Sequence, residues 1–298
     1  VNRGAAMPSR IKIRSFFDEA TSTVSYVLWE NKKHHAVIID PVLDYDHPSG
    51  KFSTTSADLL LAFLDEHQLS LQWILETHAH ADHLSSAHYL KLKTGAPLAI
   101  GEHIRDVQNL FRPVFNLDDV SLDGSEFDRL LKDGERIPLG ETFIEVLHTP
   151  GHTPACVSYY VDGHLFVGDT LFMPDYGTAR ADFPGGSAET LYNSIQRLLA
   201  FPDETVIHLC HDYKAPGREE NCWTTTVADQ RVHNIHVHEG ITKEHFVATR
   251  NARDAKLPAP QLLLPSIQVN IKAGQLPPAE SNGVRYLKIP IRNRANQT

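Results

Sequence analysis

Hydrophobic and polar positions alternate in IKIRSFF (11–17) and TVSYVLWE (23–30), and that period of two predicts a pair of strands. HAVIID (35–40) is a short apolar run closed by Asp40-Pro41 and reads as a third. In SADLLLAFLDEHQ (56–68) the pattern changes to helical spacing, with Leu59, Leu60, Phe63 and Leu64 on one face and Ser56 as the expected N-cap. LQWILET (71–77) predicts a buried strand, SSAHYLKLKT (85–94) a helix, PLAIG (97–101) a strand and EHIRDVQNLF (102–111) a helix. The second half repeats the mixture. ERIPL and TFIEVLHTPG predict strands, and CVSYYVDGHLFVGD (156–169) a strand–turn–strand unit with Asp162-Gly163 at the turn. SAETLYNSIQRLLA (187–200) reads as an amphipathic helix and ETVIHLCHD (204–212) as a strand. Strands in both halves, with helices that must cover two faces, predict two packed sheets with helices outside.

Beyond about residue 217 the texture shifts. TTTVADQRVHNIHV and TKEHFVATRNARD predict helices, whereas PAPQLLLPS through AGQLPPAESNGVRYLKIP is proline-rich and is expected to be irregular but docked, because its leucines and isoleucines need cover. The organisation expected is a catalytic unit over 7–216 and a helical and irregular extension over 217–298 packed on it. The residues before Met7 read as an appended leader, with Met7 the natural start.

Composition narrows the function classes. The 298 residues carry a formal net charge of −9 with no dense Lys/Arg run, which argues against a nucleic-acid partner. No apolar run approaches a membrane span. Three cysteines without a CxxC pair, Cys156, Cys210 and Cys222, fit a reducing compartment, so a cytoplasmic location is expected. Cys156 and Cys210 are expected in the core; Cys222 has no assignable role. Histidine is the outlier, eighteen against two methionines.

ETHAHADHLSSAH (76–88) follows directly on a predicted strand and packs three histidines and an aspartate between His78 and His83. His78 and His80, two apart in an extended loop, point the same way and can clasp one ion, leaving Asp82 and His83 for a neighbouring position. His152 in HTPGHTPA, Asp169 in LFVGDTLF and His211 in IHLCHDY each add a ligand at a predicted strand end. Imidazole with carboxylate suits zinc, iron(II) or manganese. Seven groups suffice for two ions sharing one carboxylate. His148 and His88 are expected to be non-ligands, and glycines before His152 and Asp169 would let the chain approach the metal closely.

THAHADH, PGHTPA, GDTLF and CHDY, in that order over roughly residues 11–213, resemble the ligand signature of the metallo-β-lactamase superfamily. The resemblance implies an αββα sandwich with the metal site at one edge of the two sheets. YGTARADFPGG (176–186), CHDYKAPGREE and the C-terminal region resemble the persulfide dioxygenases (sulfur dioxygenases) of that superfamily, in a bacterial branch named β-lactamase hydrolase-like.

That narrower resemblance implies one iron(II) per chain on His78, His152 and Asp169. His80, Asp82, His83 and His211 would be retained around the site or hold a second metal. Glutathione persulfide and O₂ would be the substrates, sulfite and glutathione the products, and a dimer or tetramer the assembly. Arg180, Tyr213 and Arg218 are the candidate glutathione-binding groups, since guanidinium binds carboxylate bidentately. Arg180 could equally pair with Asp182. The alternatives are a hydrolase of glyoxalase II or lactonase type with one or two zinc ions, and a metal-dependent sensor without turnover. Ligand types do not separate iron from zinc.

Overall fold

The computed structural model describes residues 9–293; the stretch before Met7 and the last five residues lie outside the described residues. Two six-stranded sheets form the centre. The first runs Ile11–Asp18, Thr23–Glu30, His35–Ile39, Ser70–Leu75, Leu98–Gly101, Arg129–Leu131 in spatial order. It is antiparallel at its first edge and parallel from His35–Ile39 onward. The second runs Arg136–Leu139, Thr142–His148, Val157–Val161, His164–Phe166, Val206–His208, Thr224–Thr226. A small three-stranded sheet joins Lys51–Ser53, Val42–Asp46 and Leu84–Ser85. Seven helices are described: α1 Thr55–Glu66, α2 Ala87–Thr94, α3 Ile104–Phe115, α4 Ala188–Leu199, α5 Val227–His233, α6 Lys243–Asp254 and α7 Leu263–Asn270. None of them is long and apolar enough to cross a membrane.

Three cores make the layering. Val24, Leu28, Val37 and Leu75 of the first sheet meet Ile137, Ile144, Val146 and Tyr159 of the second. Val27, Ile38, Ile74 and Leu98, the alternate residues of the first sheet, pack on Leu60, Leu90 and Val107 of α1–α3. Leu165 and Ile207 of the second sheet pack on Leu191, Ile195 and Phe246 of α4 and α6. The period-two pattern thus feeds one apolar set inward and the other outward. The result is the αββα sandwich, with additional helices at the C-terminal end. Tyr26 and Tyr159, fully apolar-packed at their rings, donate their hydroxyls to the carbonyls of Leu209 (2.5 Å) and Glu76 (2.7 Å), so neither buries an unmade hydrogen bond.

Three local expectations need correction. The first helix begins at Thr55, not behind Ser56; the Ser56 amide and hydroxyl both bond the Asp44 carboxylate (2.9 and 2.6 Å), which supplies the N-terminal acceptor from outside the helix. Thr224–Thr226 is a strand that extends the second sheet, as its three β-branched residues favour, and Thr226 then caps α5. The proline-rich tail contains a helix, α7, with Pro265 in its first turn, where a missing N–H costs nothing. The remainder of the tail is irregular, and its Leu276 and Leu287 dock against Leu43, Leu84 and Val269. The Asp162-Gly163 turn is as predicted, both residues having positive φ (47° and 84°).

His208 sits inside the second sheet, stacked on Phe166 at 4.7 Å, with Nε2 3.0 Å from His164 Nδ1. Burial first, and then the neighbouring His164, push its pKa down from 6.5 to about 3. Between those values the unfolded chain binds the extra proton, so this stabilisation is complete above pH 6.5 and lost on acidification, by up to about 1.4 kcal/mol per pH unit. His208→Gln is expected to flatten the pH dependence of the urea midpoint between pH 5 and 6.5. An unaltered slope would clear His208 of that role.

Candidate metal centre

The site lies where strands of both sheets end on the same edge. His78 and His80 follow Ser70–Leu75, His152 follows Thr142–His148, Asp169 follows His164–Phe166, and His211 follows Val206–His208. Each group is fixed by a rigid ladder on one side and free to face the edge on the other. His78, His80, His83, His152, Asp169 and His211 are all buried, and Asp82 is half-buried.

Two clusters emerge. In the first, Nε2 of His78 and Nε2 of His152 each lie 3.6 Å from Asp169 Oδ2. The second collects His80, Asp82, His83 and His211, with His211 Nε2 3.1 Å from Asp82 Oδ2 and 3.3 Å from Asp169 Oδ1. Asp169 therefore stands between the two. The His78 and His80 rings lie 4.1 Å apart, but His80 groups with the second cluster rather than with His78. Nε2 of His80 is committed to Asp40 (2.9 Å), and Glu76 stands 3.5 Å away, so the ring turns Nδ1 toward the second cluster.

The remaining ring nitrogens are fixed from behind, which sets which nitrogen faces inward. His152 Nδ1 donates to the Arg180 carbonyl (2.7 Å), and His78 Nδ1 to the Thr77 hydroxyl (3.0 Å). Thr77 in turn donates to Asp40, which also accepts from His80 and the Thr77 amide. Asp40, unremarked in the sequence beyond its proline, is thus the centre of the supporting network. Its positive φ (52°) is the backbone mark of that turn.

Charge follows the geometry. Burial, and then the adjacent His80, lower the His78 pKa to about 4, leaving the neutral imidazole that a metal requires. Burial opposes ionisation of Asp169, but His211, His78 and His152 outweigh it and hold the carboxyl below its ordinary range. Asp82 is ionised likewise, its burial outweighed by His211 and His83. Burial pushes Glu76 up to about 7 against its hydrogen bond to His80.

His78 Nε2, His80 Nδ1, both Asp82 oxygens, His83 Nε2, Asp169 Oδ1 and His211 Nε2 have no hydrogen-bond partner among the described residues. Buried polar atoms left so cost about 1–3 kcal/mol apiece, and these point into one small space. The donor set of imidazole nitrogen and carboxylate oxygen fits one or two divalent ions, iron or zinc. This is a metal-dependent catalytic site.

A cavity of about 550 Å³ opens onto it, within the range of small-molecule sites. Tyr213 is in its wall, 41% exposed, its ring stacked on His211 at 5.4 Å. Arg180 also lines the wall, but its Nε and Nη2 hold Asp182 bidentately (2.6 and 2.8 Å) and Nη1 donates to the Pro258 carbonyl. Arg218 does not line this cavity; Asp175 and Asp212 occupy its guanidinium on both sides. Cys156 and Cys210 are buried, and the Cys210 thiol lies 3.6 Å from Asp40 Oδ2 among the site's groups. Cys222 is exposed. His148 is a loop tie, Nε2 on the Pro154 carbonyl, and His88 joins neither cluster.

The glycines work differently from the expectation. A Cβ on Gly151 would lie 2.3 Å from the Leu191 backbone of α4, and one on Gly168 2.7 Å from the Thr77 hydroxyl. They permit close packing of the ligand loops on their supports rather than approach to the metal.

Three supporting residues come from the C-terminal end. Asn270, buried in α7, donates to the carbonyls of His80 and His83 (both 2.8 Å) and accepts from the Ser85 amide (2.8 Å), clamping the histidine loop. In α6 the buried pair Arg250–Asp254 binds the Thr178 carbonyl and the Ala181 amide, which brackets Arg180 and hence the carbonyl that orients His152. Nothing in the local sequence signals either contact, since their partners lie 72 to 190 residues away.

Two stacked sheets, outer helices and an imidazole–carboxylate site at their common edge define a metallo-β-lactamase-type protein. The metallo-beta-lactamase superfamily profile matches residues 19–211, and the chain belongs to that superfamily. A "probable metallo-hydrolase" of Burkholderia pseudomallei is 51% identical over 94% of this chain and 98% of its own length. "Glyoxylase B2" of Dictyostelium discoideum is 49% identical over 96% and 98%. The crystal structure of ETHE1 from Myxococcus xanthus superposes with a TM-score of 0.71 at 29% identity, covering 89% of this chain and all of that one. Its human namesake, a mitochondrial persulfide dioxygenase, is 29% identical over 89% of both chains. The chain is thus related to hydrolase-like, glyoxalase and persulfide dioxygenase branches.

Proposed function

We propose that the protein is an iron(II) persulfide dioxygenase that oxidises glutathione persulfide with O₂ to sulfite and glutathione. The observation that carries this reading is the grouping of His78 and His152 with Asp169 apart from His80. Two histidines and one carboxylate with open positions suit non-heme iron(II) in oxygen chemistry. Iron bound there would supply the O₂ chemistry. The chain's own part is to aim His78 and His152, through Thr77 and the Arg180 carbonyl, and to seat the persulfide in the adjoining cavity beside Tyr213. Residues 7–216 would carry the ligands and 217–298 would support them and wall the cavity. A cytoplasmic dimer or tetramer remains part of this reading.

A second reading has support of its own. His80, Asp82, His83 and His211 form a complete second cluster with unpartnered inward atoms, and two of the relatives near 50% identity carry hydrolase and glyoxylase names. A binuclear zinc hydrolase cleaving a glutathione thioester would use both clusters.

Metal analysis of protein purified without added metal, paired with an oxygen electrode, separates the two. The dioxygenase predicts about one iron per chain and O₂ uptake that depends on glutathione persulfide. Two zinc ions per chain, no uptake and hydrolysis of S-lactoylglutathione would establish the hydrolase instead.

A further inference from the structure

Three arginines line the cavity over the metal centre, and they are not equivalent. Arg180 is neutralised by a bidentate pair with Asp182, and Arg250 by Asp254. The third, Arg253, is exposed, and its guanidinium has no partner among the described residues. Asp82 and Asp169, the carboxylates in the same wall, belong to the metal clusters. The cavity therefore presents a single uncommitted positive group.

Its placement is fixed. Arg253 is one helical turn beyond Arg250 in α6, so the two share a face. Arg250 anchors that face by its bond to the Thr178 carbonyl (3.0 Å). A last-turn arginine is favoured by the helix dipole alone, but the dipole asks nothing about which way it faces, and this one faces the cavity. Phe172, Tyr176 and Tyr213 form a second, aromatic part of the wall, their ring centroids 5.6–5.7 Å apart.

We infer that Arg253 is the substrate-binding arginine, its guanidinium taking a carboxylate of the carrier thiol while the sulfur end reaches the metal cluster. This rests on the glutathionyl-substrate reading above and assigns its recognition to the C-terminal extension rather than to Arg180 or Arg218. A guanidinium free of internal partners offers two parallel donors to a carboxylate. Arg180 could do so only by giving up Asp182.

The test is calorimetric titration of the metal-replete full chain with glutathione and with glutathione diethyl ester, in the wild type, Arg253→Ala and Arg253→Lys. Arg253→Ala should weaken glutathione binding by about 10–100-fold, with Arg253→Lys in between. The ester should bind the wild type as weakly as glutathione binds Arg253→Ala, and should be indifferent to the substitution. In turnover, KM should rise with kcat little changed. Glutathione affinities within twofold across the three proteins, or an ester as sensitive to the substitution as the acid, would overturn the assignment. Arg253-dependent glutathione binding in a wild type that consumes no O₂ would uphold Arg253 and reject the dioxygenase.

Discussion

Replacing His152 with alanine is expected to remove bound metal and activity together. His152 contributes one of the three groups converging beside Asp169, and its Nε2 is presented there because Nδ1 is held by the Arg180 carbonyl at 2.7 Å. Loss of an outer partner alone costs about 10–100-fold in metal affinity or activity, and loss of the ligand itself should exceed that. Metal per chain and persulfide-dependent O₂ uptake should therefore both fall at least about 100-fold. His83→Ala gives the contrast, because His83 belongs only to the second cluster. Under the mononuclear reading it leaves about one iron per chain, and under the binuclear one it takes two zinc ions to one. Full metal content in His152→Ala would remove that residue from the ligand set.

Asn270→Leu is expected to destabilise the protein by several kcal/mol and to lower metal occupancy with it. The side chain is 4% exposed and makes three hydrogen bonds of 2.8 Å to the loop that carries His80 and His83. Leucine is close in size, so the loss is one of hydrogen bonding: two carbonyls and one amide are left buried and unpaired, at about 1–3 kcal/mol each. Urea unfolding should show the midpoint falling with little change in slope. Metal binds only the folded loop, so added iron(II) should recover part of the lost stability. A midpoint equal to wild type would mean that the loop holds its shape without α7.

Much of the layered fold is legible in the chain because its strands alternate and its helices repeat at their own periods. The strand Thr23–Glu30 and helix α4 behind Ser187 stand within a residue of expectation. The tail misled because proline was read as a breaker, whereas Pro265 sits in the first turn of α7, where a missing N–H is tolerated.

The site divides the same way. The density of His78, His80, Asp82 and His83 announces a metal, since no packing rule asks for it, and strand ends mark where His152, Asp169 and His211 come in. How seven groups sort into two clusters is decided by Asp40, which takes one nitrogen of His80, and by the Arg180 carbonyl, which takes one of His152. The same holds for the arginines. Arg180, Arg218 and Arg253 are alike as letters, and only the positions of Asp182, Asp175 and Asp212 show which guanidinium is left to meet a ligand. Residue type fixes what a group can bind, and periodicity fixes the element that carries it. Which partner it meets first is a matter of distances across 28 to 190 residues of chain, and folding alone sets those.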